Sequence, residues 1–441
     1  MFEFKKIYLI ALIILSFMAL GFSAPPQPPA SISKVVLDNG LTVLIYENHA
    51  LPLVCLIAHV KAGSQYEPDE KAGLSYLVSA MLTKGTQAKS AEEVVSQIEF
   101  AGGYIISSGS QTGSFVQCEA SKNDLDLALE MISDVLINPS FDYQEMERQK
   151  EYFLSGIKSR GDDPETVGKL EFNKYVYGKH PYHRPLSGYE ETIENITRED
   201  LIQFHQKYYV PNNTVLAIAG DIDSQKIIPK IKKEFGGWPR KSVKLPELPE
   251  ISSQKEIIAK TVNMQGEQTH VFLGHLGIKY KNPDYYTLEV LDIILGAGGL
   301  SSRIAYNLRD VKGLAYTAYS DITGSAGMEP GRFLAYMAVS PENKEAAITG
   351  LLNELQKIRN EPVLTEELED AKSYLIGSSY FGLQGNEALA NYLILCEVFD
   401  LGFDFIDKYP EYINHVTKED IQRAARKYLH PEAYTLVIVG Q

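Results

Sequence analysis

The chain has 441 residues, 44% hydrophobic and 22% charged, and its 57 acids against 42 lysines and arginines give a formal charge of −15. That is a globular composition, long enough for two to four domains. So acidic a balance excludes a nucleic-acid interface, whose phosphates need a basic stripe, and electrostatic docking on anionic lipid; it keeps the surface solvated.

Lys5 and Lys6 precede an apolar run of 16 residues, Ile7 to Phe22, followed by Ser23, Ala24 and a proline-rich stretch. A basic start, a short apolar segment and the small residues Gly21 and Ser23 before the break predict a signal peptide over 1–23. The protein is then exported and periplasmic. An uncleaved anchor is the alternative and the only route to a membrane, although the run falls short of the roughly 20 residues a spanning helix needs.

Beyond this segment, Asp38-Asn39-Gly40 turns a hairpin, and the apolar stretch from Leu51 to Gly63 is a further strand. Helices are predicted at 71–83 and 91–101, strands around Ile105 and over Phe115–Glu119, and a helix from Asp124 to Ile137. Long helices occupy 142–160 and 164–176. Residues 189–220 and 409–440 then match at a constant offset of 220, from Tyr189/Tyr409 through Thr197/Thr417 to Gly220/Gly440. In each copy the threonine precedes Glu-Asp and caps a helix, and an apolar strand follows, Val215–Ala219 or Thr435–Val439.

The chain therefore divides into two homologous halves of about 220 residues, 30–240 and 259–441, joined by a proline-bearing linker over 241–258. Strands and helices come in blocks, which predicts an α+β fold of two sandwich-like domains with mixed or antiparallel sheets. Three cysteines are too few for a disulfide framework; Cys118 and Cys396 lie among apolar neighbours, and an oxidising compartment would permit a Cys55–Cys118 bridge. His180 and His183 flank Pro181, and His270 and His275 fall on opposite faces of a strand, so neither pair is a metal site. Gly296-Ala297-Gly298-Gly299 lacks the Lys-Ser/Thr of a phosphate loop.

Gly63-Ser64…Glu67, then Gly73-Leu74-Ser75-Tyr76-Leu77-Val78-Ser79-Ala80-Met81-Leu82, then Lys84-Gly85-Thr86 resembles the opening of a pitrilysin/insulinase-family domain. There the stretch runs G-S-x-x-E, G-L-x-H-F-L-E-H-M, K-G-T. The likeness continues through Glu147-Arg148, Asp163-Pro164, His180-Pro181-Tyr182 and Gly220-Asp221. In active members H-x-x-E-H supplies two zinc ligands one helical turn apart and a general base. On this sequence those positions are Tyr76, Ser79 and Ala80, and the third ligand position is Gly156. The resemblance thus implies a chain that binds no zinc of its own. It also matches Gly298-Gly299-Leu300-Ser301-Ser302-Arg303…Leu308-Arg309…Gly313-Leu314-Ala315-Tyr316 to a family element whose arginine and tyrosine contact substrate across from the zinc. Arg309 and Tyr316 are the residues at those positions. The function this resemblance implies is that of a substrate-binding subunit. Its partner would be a homologue carrying H-x-x-E-H and the zinc, the pair cleaving peptides that add as a strand to a sheet edge. The alternative is a peptide-binding or scaffold homodimer with no role in proteolysis.

Overall fold

The computed structural model describes residues 32–441; the predicted signal peptide lies outside the described residues. β1 (Ile32–Val36) and β2 (Thr42–Glu47) form the hairpin across Asp38-Asn39-Gly40, with Gly40 at φ 90°. Together with β3 (Leu53–Val60), β4 (Tyr104–Gly109), β5 (Ser114–Ser121) and β6 (Thr214–Gly220) they make a 6-stranded sheet in the order β1-β2-β6-β3-β5-β4. The second half contributes β7 (Ile258–Asn263), β8 (Thr269–Leu276), β9 (Ala315–Asp321), β10 (Arg332–Val339) and β11 (Thr435–Gly440), a 5-stranded sheet ordered β7-β11-β8-β10-β9.

Taken strand for strand, that order is the first sheet's β2-β6-β3-β5-β4. Each sheet has one parallel pair, β2 with β6 and β7 with β11, and the other pairs are antiparallel. The fold is mixed α+β with a repeated topology. Thr197 and Thr417 cap the Arg198–Tyr208 and Lys418–Tyr428 helices in matching capping boxes with Asp200 and Asp420, as the repeat predicts. Residues 239–257 between the halves have no helix or strand.

The central strands are buried on both faces, which is why they read as continuous apolar runs. On the first sheet, Val54, Leu56 and Ala58 face a core shared with the Leu74–Met81 and Leu125–Ile137 helices. Cys55, Ile57, Val215 and Ala217 face the other way, toward Leu389, Ala390 and Leu393 of the Asn386–Phe399 helix, which belongs to the second half. The exchange is reciprocal. Phe172 and Val176 of the Pro164–Tyr177 helix, from the first half, pack on Phe272, Tyr336 and Val437 of the second sheet. Asn48 donates to Asn386 at 2.8 Å and Lys34 pairs with Glu397 at 2.6 Å, fastening the same junction.

Two details depart from the sequence reading. The helix predicted at 71–83 starts at Leu74, because Gly73 sits at φ 97° after a 3₁₀ turn over Asp69–Lys71. Cys55 and Cys118 do not bridge: Cys55 lies opposite Glu119 and Cys118 opposite Leu56, so the two thiols project from opposite faces of the sheet.

Candidate functional site

The Leu74–Met81 helix carries three of the four positions where zinc chemistry would reside. Its N-terminus is built by Glu67, whose buried carboxyl accepts the Gly73 and Ser75 amides at 2.8 and 2.7 Å. Burial outweighs those bonds and pushes the carboxyl up to about 7. Next to Ser75, in the same first turn, Tyr76 is half-buried and stacks on Phe153 at 5.1 Å. Ser79 is buried; its hydroxyl donates to the Ser75 carbonyl at 2.9 Å and shares a 2.6 Å hydrogen bond with Ser114. Ala80 offers no donor. Gly156, on the exposed side of the Tyr143–Arg160 helix, has open space where a side chain would start. Among the described residues no three His, Cys, Asp or Glu side chains converge on a point that could hold an ion.

The histidines serve the fold. His180 accepts the Tyr182 amide at 3.2 Å and caps the turn at Pro181–His183. His275 donates from Nδ1 to the Leu276 carbonyl and accepts the His430 amide at 3.1 Å on Nε2; burial holds it down to about 4, in the neutral form. His270 reaches Tyr336 instead, at 2.8 Å on the opposite face of β8.

Arg309 and Tyr316 do meet. The chain runs through a turn of π-helix over Ala305–Val311, closed by bonds from the Gly313 amide to Arg309 and from the Leu314 amide to Leu308. Gly313, at φ 63°, reverses it into β9. Thr317 pairs with Ala338 and Ala315 with Val339, which leaves Tyr316 as the extra residue of a bulge on an edge strand. Bulges re-aim the side chain they carry. Tyr316 stands 80% exposed, and the Arg309 guanidinium lies over its ring at 5.2 Å. Leu300, Tyr306 and Val311 are exposed on the same stretch. The arrangement presents a guanidinium and a phenol side by side to solvent, donors suited to peptide carbonyls.

Family models match the chain in two blocks, "Insulinase (Peptidase family M16)" over residues 42–189 and "Peptidase M16 inactive domain" over 195–375. An uncharacterized zinc protease of Rickettsia felis is 30% identical over 347 residues, spanning 78% of this chain and 82% of the relative. The chain belongs to the insulinase peptidase family. A second relative, the uncharacterized zinc protease YmxG of Bacillus subtilis, is 26% identical across 93% of this chain and 98% of its own length. Among solved structures, a peptidase M16 inactive domain from Pseudomonas fluorescens superposes with a TM-score of 0.87 at 24% identity, covering 93% of this chain and 98% of the other. A protease from Helicobacter pylori gives 0.86 at 23% identity, over 93% of this chain and 100% of its own. These two carry the fold, not the activity.

The zinc this family implies does not fit the residues present. A tyrosine stacked on phenylalanine, a serine whose hydroxyl is spent on its own helix, an alanine and a glycine make no ligand set. Two features escaped the sequence reading. Glu67 was visible as part of a motif, but its duty as the buried cap of the helix needed the 3₁₀ turn that brings it back. The bulge at Tyr316 depends on register with β10, a strand 16 residues further on, for which nothing local speaks.

Proposed function

We propose that this chain is the non-catalytic, substrate-binding subunit of a two-chain zinc peptidase that degrades short or unfolded peptides in the cell envelope. The observation that carries the reading is the pairing of a half-buried Arg309, 3.6 Å from Asp310, with an exposed Tyr316, in a chain whose zinc positions hold Tyr76, Ser79, Ala80 and Gly156. The partner is a homologue with an intact H-x-x-E-H, which brings the metal. The guanidinium holds carbonyls of an extended peptide, and the phenol donates to the oxygen that gains charge as the bond is cut.

Purified alone, the chain binds no stoichiometric zinc and cuts no peptide; mixed with that homologue it confers activity. In the mixed complex Tyr316→Phe lowers kcat on the order of 10²–10³, with KM changed less. Arg309→Ala raises KM as well. Stoichiometric zinc in the isolated chain, or full activity with Tyr316→Phe, overturns the proposal. A stable homodimer that ignores the homologue points instead to a scaffold.

A further inference from the structure

A cavity of about 820 Å³ opens in the second half, far larger than a packing defect and within the range of small-molecule sites. It lies among the Tyr285–Asp292, Thr365–Phe381, Asn386–Phe399 and Phe405–Asn414 helices. Its walls are aromatic: Tyr280, Tyr285, Tyr392, Phe405 and Tyr409 all face it. The charged side chains that line it are Glu289, half-buried in the wall, and Glu387, exposed at the rim; no lysine, arginine or histidine is among them.

Glu289 is the telling group. It accepts one hydrogen bond, from the Tyr409 hydroxyl at 3.2 Å, and no cation of the described residues lies within ion-pair distance of it. A carboxylate set among rings without a counter-charge is costly in free energy, and a mere packing role is served better by leucine or glutamine. Ring faces attract cations and repel anions. Aliphatic Leu375 and Ile406 complete the lining, while Ser378, Gln384 and Asn391 put hydrogen-bond acceptors nearer solvent.

We infer that this cavity binds an organic cation, a primary ammonium on an aliphatic stem, with the charge paired to Glu289 and held against the tyrosine faces. A quaternary ammonium would leave the acceptors unused; an ammonium has N–H donors for them. The source is a free alkyl amine or a lysine side chain of a bound peptide, the same chemistry in both. Burial holds the Glu289 carboxyl up near 7, so a cation binds best where that proton has left. The other acid close to it, Asp292 on the same helix, is turned away and sealed by Ser320 and the Ile322 amide; from the facing helix only the Tyr409 hydroxyl reaches Glu289.

Titration calorimetry of the full chain with cadaverine, with a lysine-bearing peptide and with 1-pentanol as the neutral control tests the site. Saturable binding of cadaverine, absent for pentanol, is expected. Glu289→Gln weakens it at least about tenfold, the loss of a charge-assisted bond. Glu387→Gln, exposed and harmless to folding, weakens it about threefold. Affinity rises from about pH 6 to about pH 8 in the wild type, and this rise disappears in Glu289→Gln. A lysine peptide displaced by cadaverine supports the site and names a side chain as its occupant; cadaverine binding without peptide binding supports it and names a free amine. Equal affinity for Glu289→Gln and wild type, a pH dependence that survives in that variant, or no saturable binding of either probe overturns the inference.

Discussion

Buried ionisable residues set opposing pH dependences in this molecule. His59, His205 and His275 are held neutral by burial, each down to about 4, and His59 has no hydrogen bond on either ring nitrogen while stacking on Phe115 at 4.5 Å. An unfolded histidine takes a proton below about 6.5, so these three favour the native state increasingly as pH rises toward that value. Buried carboxyls act the other way. Asp292 accepts from the Ser320 hydroxyl at 2.6 Å and the Ile322 amide at 2.8 Å, and burial pushes it up to about 7. Its folded value exceeds the unfolded one, so its contribution is full below about 4 and is lost as pH rises through about 7. Asn at this position keeps both bonds, because the Ser320 hydroxyl can turn to accept from the new amide. Asp292→Asn therefore melts close to wild type near pH 4 and is more stable above about pH 7, by on the order of 2–4 kcal/mol. A melting-temperature difference that stays flat across that range would show the carboxyl to be solvated. None of this was legible beforehand. Asp292 and Glu289 look like the polar side of an ordinary helix until Ser320, 28 residues on from Asp292, and Tyr409 come to lie against them.

At the scale of elements, the sequence was legible wherever a local rule decides: a turn at Asp38-Asn39-Gly40, capping threonines at 197 and 417, apolar runs for strands covered on both faces. It was illegible where distant partners decide, as at the start of the Leu74–Met81 helix and the bulge at Tyr316. That positions 80 and 156 hold no zinc ligand follows from residue identity alone, since alanine and glycine carry no donor. What the structure adds is the state of their scaffold. The Leu74–Met81 helix still packs against the Tyr143–Arg160 helix, with Tyr76 touching Phe153, one turn before Gly156. Histidine at 76 and 80 would stand one turn apart, and a glutamate at 156 meets no obstacle at its Cβ. The triple change Tyr76→His, Ala80→His, Gly156→Glu is expected to create a site for about one zinc per chain. Metal content after dialysis checks it, and absence of zinc in a folded variant would mean that the two helices have drifted from ligating distance. The base is harder to restore: Ser79 is sealed against Ser114, and a Cβ on Gly109 would already crowd its hydroxyl at 2.9 Å.

For the whole molecule, the reciprocal helices make the two halves one folding problem. The Asn386–Phe399 helix covers a face of the first sheet, and the Pro164–Tyr177 helix covers a face of the second, so neither half alone can close its core. Helix periodicity cannot say which sheet a helix will cover, and here the answer in both cases is the more distant one. The tightest point of this exchange is Gly168. A Cβ built there would lie 2.0 Å from Cε2 and 2.5 Å from Cζ of Phe272, a fully buried ring packed against Tyr336 at 4.9 Å. Two effects compete in Gly168→Ala. Alanine gains about 1 kcal/mol in helix propensity; overpacking of a ring that has nowhere to go costs about 1–3 kcal/mol. Steric cost wins, and the variant is expected to melt below wild type. Shortening the opposing side chain separates the terms: Phe272→Leu alone loses packing, but Gly168→Ala combined with Phe272→Leu recovers part of that loss, so the two changes are not additive. Thermal unfolding of the four proteins in the cycle measures the coupling. A Gly168→Ala variant more stable than wild type, with additive effects in the cycle, would mean that the helix stands off the second sheet and that the halves are joined more loosely than this packing requires.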